Sequence, residues 1–305
     1  MRKLISILTV IILISGCKSK ENFIEIKTKV VWAYGEIYGG DIKQESEKAE
    51  KIYESKKYIL SYPEYFNGEL ICTGVEKDSK INCLLKIKNG KEIELYSRKG
   101  EMFYPAMLTE NKFVCIVEKK SENEDLNYAL LLIDIKNRAE KILDENIDNS
   151  SKPVINKNGE ILYSKEIKSV EGHYTYRWNE IYKIDKNFNR IKITEGCYPV
   201  WENNGKNMIY YSDRKLYRYD FISKESKKIM KLNHLLVTPD ISKDGKYIAV
   251  IVEDSTYLIK DYLYPYMKVI NIETKEIMEV IGYNNHRVML PMEVKEVGRA
   301  VWSDK

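Results

Sequence analysis

A short motif recurs along this chain: a proline, a brief apolar strand, an Asn-Gly or Asp-Gly turn, then a second β-rich strand. That recurrence limits the fold more than any other feature. The plainest copy runs Tyr198-Pro199-Val200-Trp201-Glu202-Asn203-Asn204-Gly205-Lys206-Asn207-Met208-Ile209-Tyr210-Tyr211. Other copies begin at Tyr62-Pro63, Tyr104-Pro105, Lys152-Pro153 and Thr238-Pro239, and Arg299-Ala300-Val301-Trp302 opens a last one. The anchors recur every 40 to 61 residues, the behaviour of a β-repeat with loop insertions. Proline has no N–H to give to a ladder, so it is expected at the first residue of a strand. Glycine supplies the positive φ that a tight two-residue turn needs. The copy at Tyr104 has Glu110-Asn111 in place of the glycine turn, and asparagine tolerates the left-handed region well.

Each repeat continues with two further strands, such as Glu180–Asp185 followed by Arg190–Thr194. Turn residues between the runs favour hairpins, and four antiparallel strands per repeat make one propeller blade. The expectation is an all-β, six-bladed β-propeller of four-stranded antiparallel blades. The anchor at Arg299 has only a first strand, while Val30–Ile37 and Lys51–Pro63 resemble the later strands of a repeat. A split blade is therefore expected, with N-terminal strands completed by a C-terminal innermost strand. An incomplete last blade is the other reading. Closure would remove exposed edges.

The N-terminal stretch has a different character. Arg2 and Lys3 precede an apolar run from Leu4 to Ile14, followed by Ile14-Ser15-Gly16-Cys17. The run has signal-peptide length and is too short to span a bilayer comfortably. Small residues before a cysteine at this place resemble the bacterial lipobox. That resemblance implies cleavage before Cys17 and lipidation of its thiol, which would hold the protein on a membrane. An ordinary secretory signal with an incidental Cys17 is the other reading. The expected division is a signal peptide at 1–16, a lipidated tether at 17–28 and a propeller at 29–305. The address is extracytoplasmic, anchored to the bacterial cell membrane. Net charge is +4, and loss of Arg2 and Lys3 leaves +2, so neither charge nor address points to nucleic acid.

The anchors resemble those of TolB-type propellers, whose pattern is approximately Pro-x-Trp-Ser-Pro-Asp-Gly-Lys before an apolar strand. Pro239-Asp240-Ile241-Ser242-Lys243-Asp244-Gly245-Lys246, Pro199-Val200-Trp201 and Val301-Trp302-Ser303-Asp304 carry the likeness best. It covers roughly residues 29–305. The same pattern occurs in the propellers of prolyl-oligopeptidase enzymes, but this chain shows no G-x-S-x-G nucleophile elbow.

Blade geometry puts the loops joining strands two and three on the same face as those leading into the next blade. The anchor residues Tyr62, Tyr104, Lys152, Tyr198 and Arg299 are expected to ring the axis there. Insertions on that face carry His173, Tyr174, Tyr176, Trp178 and Tyr264. Tyrosine offers flat apolar area with a hydroxyl, which suits peptides and sugars. With 24 tyrosines in the chain, packing of loops against blades is the competing reading. His173, His234 and His286 lie in different repeats, so no catalytic triad, metal site or cofactor is expected. The acidic run Ser121–Asp125 lacks the spacing of a calcium loop and reads as solvated. Cys72 and Cys83 are expected on neighbouring strands, as a disulfide or as small buried hydrophobes. The functional expectation is a monomeric, non-catalytic binding module for a protein or an envelope glycan or peptide. The alternative is a propeller hydrolase or lyase acting on an envelope polysaccharide or peptide.

Overall fold

The computed structural model describes residues 29–34, 36–41, 50–119, 127–147, 151–171, 174–232, 235–242, 244–253, 265–281 and 301–302. Every described element of regular structure is a strand. Three short strands come first: β1 (Lys29–Tyr34), β2 (Glu36–Asp41) and β3 (Glu50–Tyr53). Blade 1 follows as β4 (Tyr58–Phe66), β5 (Glu69–Glu76), β6 (Asn82–Lys88) and β7 (Lys91–Arg98). Blade 2 is β8 (Met102–Thr109), β9 (Lys112–Lys119), β10 (Asn127–Asp134) and β11 (Ala139–Ile147). Blade 3 is β12 (Val154–Ile155), β13 (Ile161–Glu171), β14 (Tyr174–Ile184) and β15 (Arg190–Glu195). Blade 4 is β16 (Cys197–Trp201), β17 (Asn207–Ser212), β18 (Lys215–Asp220) and β19 (Glu225–Lys231). Blade 5 is β20 (Leu235–Ile241), β21 (Tyr247–Glu253), β22 (Pro265–Asn271) and β23 (Ile277–Ile281), and β24 (Val301–Trp302) ends the series.

The all-β propeller of four-stranded antiparallel blades is present, but the expected count of six blades is corrected to five. Five blades are contiguous, each made of four consecutive strands in sequence order. The N-terminal strands form no sixth equivalent blade. They make a composite sheet in the order β24-β1-β2-β3. Its inner strand pairs at only two positions, Val30↔Trp302 and Val31↔Val301. This sheet joins the ends of the chain, with β24 lying against both β20 and β4. The difference has a physical basis. A two-residue ladder gives little to set against closing a loop over nearly the whole chain. The Arg299-Ala300 anchor also lacks the proline that shapes most of the other inner strands.

Packing follows the seams between blades. In β9, Val114 and Ile116 face blade 3, while Phe113, Cys115 and Val117 face blade 1. Successive side chains point to opposite faces, so a strand buried on both sides reads as a continuous apolar run. Phe-Val-Cys-Ile-Val is such a run, and all five residues are buried. The seam between blades 3 and 4 is filled by Leu162, Ile181, Trp201, Met208 and Tyr210. Between blades 4 and 5 stand Val200, Ile209, Leu216, Ile248 and Ile270.

The turns split into two kinds. Asn67 (φ 51°) and Gly68 (φ 74°) form the expected two-residue hairpin between paired Phe66 and Glu69. In blades 3 to 5 the loop is longer. The N–H groups of Gly159, Gly205 and Gly245 donate to the carbonyls of Asn156, Glu202 and Ser242, each three residues earlier. The glycine closes a four-residue turn there, with φ of 78°, 65° and 73°.

Gly196 precedes the blade 4 inner strand with φ 139°, and an added Cβ would sit 2.6 Å from the Tyr210 ring and 2.9 Å from the Tyr211 carbonyl oxygen. Gly196→Ala is expected to cost about 2–4 kcal/mol, combining a backbone conformation closed to L-residues with overpacking. Denaturant unfolding against wild type checks it, and a loss below about 0.5 kcal/mol, the range of inert surface changes, would contradict it.

Candidate functional site

The prolines do not open the inner strands as expected. Pro63, Pro105, Pro199 and Pro239 lie inside β4, β8, β16 and β20. At each, the ladder skips. The register passes from Ser61↔Thr73 to Glu64↔Ile71, from Phe103↔Ile116 to Ala106↔Val114, from Cys197↔Tyr211 to Val200↔Ile209, and from Val237↔Ile251 to Asp240↔Ala249. Three steps on the inner strand answer two on its partner, which is a β-bulge with one extra residue. A bulge leaves a residue unpaired, so the missing proline N–H costs the ladder nothing.

The residue before the proline adopts a rare backbone state. Tyr62, Tyr104 and Tyr198 have φ of 50°, 47° and 53°. A left-handed conformation costs a non-glycine residue about 1–2 kcal/mol and persists only where its surroundings enforce it. The enforcement is visible at the first two. The Tyr62 and Tyr104 rings lie 4.4 Å apart between centroids, and Tyr62 meets Phe103 edge-on at 6.0 Å. Both tyrosines are buried in the core, whereas Tyr198 is half-buried.

Lys152 holds the corresponding position before Pro153, and it too is buried. Its Nζ donates to the carbonyl oxygen of Pro239 at 2.8 Å, linking the inner edge of blade 3 to that of blade 5. Blade 4 is tied in on both sides. Trp201 Nε1 donates to the Val154 carbonyl at 3.3 Å, and Asn203 Nδ2 donates to the Ser242 carbonyl at 3.2 Å.

The insertion carrying Tyr174, Tyr176 and Trp178 is an extended hairpin rather than a loop. β13 and β14 stay paired from Ile161↔Ile184 out to Glu171↔Tyr174. Tyr174, Tyr176 and Trp178 alternate along one strand and share a face. Tyr174 is 72% exposed and Tyr176 51%, so neither packs the hairpin onto a blade. Trp178 is half-buried at the root, where its Nε1 donates to Glu180 at 3.1 Å. Glu180 also accepts from the Tyr182 hydroxyl at 2.6 Å and from Lys192. Burial alone would raise the Glu180 carboxyl, but Lys192, Tyr182 and Trp178 outweigh it and hold it below the ordinary range.

Thus Tyr62, Tyr104 and Lys152 are buried in packing and bonding between blades, Tyr198 is half-buried, and Tyr174 and Tyr176 project from blade 3. Cys17, His173, Tyr264 and Arg299 lie outside the described residues, as do His234, His286 and the acidic run at 121–125. No group of three or more His, Cys, Asp or Glu suited to a metal occurs among the described residues. Cys72 and Cys83 are buried free thiols facing Leu85 and Gly74 across the ladder. Burial pushes the Cys72 thiol up and raises that of Cys83 to about 11, which leaves little thiolate for chemistry.

Sequence reasoning missed Asp144, the hub of the seam between blades 2 and 3. Its carboxylate accepts from the Tyr163 hydroxyl at 2.7 Å, from Lys165 Nζ at 3.1 Å, and from Arg190. Tyr163 stacks on Tyr182 at 5.7 Å, and the Arg190 guanidinium lies 5.3 Å from the Tyr182 ring. Burial first, and then the bond to Asp144, drive the Tyr163 hydroxyl far above its ordinary range. Its partners are 19 to 46 residues away, so no local spacing announces it.

No family model matches the chain, and no curated protein matches it in sequence. Its fold is shared with solved propellers. TolB from Acinetobacter baumannii superposes with a TM-score of 0.63 at 13% identity, over 92% of this chain and 67% of that one. A chain of a nidogen/laminin complex gives 0.63 at 8% identity, over 90% and 98%. An oligogalacturonate lyase from Vibrio parahaemolyticus gives 0.53 at 14% identity, over 85% and 74%. At these identities the likeness is one of fold, and fold does not carry function.

Two tests follow from the site geometry. Lys152→Met removes the donor to the buried Pro239 carbonyl and is expected to cost about 1–3 kcal/mol in chemical unfolding; an unchanged midpoint would show the bridge to be idle. Because the Glu180 carboxyl is lowered in the folded state, its stabilisation is complete above the unfolded value of about 4.3 and is lost as pH falls below it. Glu180→Gln is therefore expected to flatten stability between about pH 4.5 and pH 3. An unaltered acid limb in that variant would contradict the assignment.

Proposed function

We propose that this chain is a lipid-anchored extracytoplasmic protein whose propeller is a non-catalytic binding module for a protein or a cell-envelope component. Residues 1–16 act as the signal peptide, Cys17 takes the lipid, and residues 17–28 tether the propeller. The lipobox-like Ile14-Ser15-Gly16-Cys17 supports the anchor. Among the described residues no helix is long and apolar enough to cross a membrane.

The observation that carries the binding role is the exposed tyrosine face of the β13–β14 hairpin. Tyr174 and Tyr176 present large aromatic area to solvent on a paired, preorganised ribbon. Tyrosine has few rotatable bonds, so contact there costs little conformational entropy. Val170, 71% exposed, adds apolar area on the opposite face of the same hairpin. Tyr198 belongs to the same binding face, and the sequence assigns His173, Tyr264 and Arg299 to it as well. Supporting a binder over a hydrolase or lyase, the described axial residues are tyrosines and a lysine already bonded to a backbone carbonyl.

Two experiments test the proposal. In fractionated cells, Cys17→Ser is expected to move the protein from the membrane to the soluble fraction; retention in the membrane would sink the anchor. A crosslinking pull-down from native membranes is expected to recover one dominant species. The pair Tyr174→Ala and Tyr176→Ala is expected to cut that recovery at least about tenfold, as loss of an aromatic hot spot does. Equal recovery with the double variant would remove the hairpin from the site.

A further inference from the structure

At the seam of blades 1 and 2 lies a half-open groove of about 500 Å³, well away in sequence from the hairpin of blade 3. Arg98, the last residue of β7, forms part of its wall. The Nε and Nη1 atoms of Arg98 are buried and have no hydrogen-bond partner. A buried charged donor left unpaired is costly, and native structures satisfy nearly all such groups. The guanidinium charge also acts on Tyr96 and Cys115, so it faces into the seam.

The rest of the lining specifies what would satisfy it. Lys99 and Lys119 add positive charge, while Glu118 and Glu140 oppose it, leaving one cation in surplus. Glu140 already accepts the Tyr96 hydroxyl, and Lys119 is paired with Glu145. Lys99 is exposed to solvent, so Arg98 is the cation of the lining with buried donors to spare. Beyond it the wall is apolar, formed by Val117, Leu131 and Ile142. Ile142, paired with Leu131 across the ladder, is 49% exposed.

We infer that this groove binds a small amphipathic carboxylate when the Arg98 side chain turns out of the seam, which frees its buried Nε and Nη1 to hold the head while the apolar body lies along Val117, Leu131 and Ile142. A guanidinium matches a carboxylate in a two-bond fork, and the groove has the size of a small-molecule site. This site is distinct from the tyrosine face and stands whether or not that face binds a partner.

The test is calorimetric titration of the full-length protein with sodium hexanoate, using 1-hexanol and inorganic phosphate as the neutral and the non-apolar counterparts. Saturable hexanoate binding is expected, tighter than either counterpart. Arg98→Gln is expected to weaken it at least about tenfold, the scale of a lost charged hydrogen bond. Ile142→Glu places a like charge at the exposed edge without touching the core and is expected to weaken it as well, which keeps the test valid if Arg98→Gln misfolds. Absence of saturable binding, hexanol or phosphate binding as tightly as hexanoate, or full affinity in a folded variant of either residue overturns the assignment.

Discussion

A proline inside a sheet strand cannot donate to its neighbour, and this structure is arranged around that defect. Four inner strands each carry one proline, and each absorbs it in the same one-residue bulge. At three of the four the residue before the proline, Tyr62, Tyr104 or Tyr198, is turned into the left-handed region. Ring contact between Tyr62 and Tyr104 then holds two of these strained residues in place, and the Lys152 bond to Pro239 ties blade 3 to the bulged strand of blade 5. Strain and packing are thus mutually dependent at the centre of the ring.

The blades around this centre are ordinary by comparison. Each seam is a two-sided apolar layer, fed by strands that alternate their buried residues between two neighbours. Polar links sit at the rims of these layers. Asp144 gathers a tyrosine, a lysine and an arginine across one seam, and Glu202 gathers Arg218 and Asn207 within one blade. A rigid ring of this kind can extend a hairpin from one blade without disturbing the rest, and blade 3 does so. Among the described residues Tyr174 and Tyr176 are exposed on that extension, while Tyr62 and Tyr104 are consumed by packing.

The repeat, the strand count per blade and the class of fold were all legible, because each rests on local patterns: proline, turn glycine and period-two apolar runs. What failed was anything depending on pairing at long range. Pro199 reads as a strand opener since its missing N–H is a local fact, whereas the bulge that accommodates it depends on Tyr211 and Ile209 across the ladder. The insertion around Tyr174 reads as a loop because its polar and aromatic residues carry no strand periodicity, yet it is a continuous ribbon. Six anchors suggested six blades, but the one at Arg299 lacks proline and pairs over only two residues, leaving five contiguous blades and a composite sheet. Arg98 carried no signal in sequence, since its lack of partners appears only in three dimensions.

The central claim is that recognition occurs on the face bearing the hairpin and Tyr198, rather than on the opposite face, where the turn containing Phe188 lies. The direct measurement is site-specific photocrosslinking in native membranes, with a photoreactive phenylalanine analogue placed in turn at Tyr176 and at Phe188, both solvent-exposed. The account predicts one discrete adduct from Tyr176 and none from Phe188. A discrete adduct from Phe188 alone would contradict it.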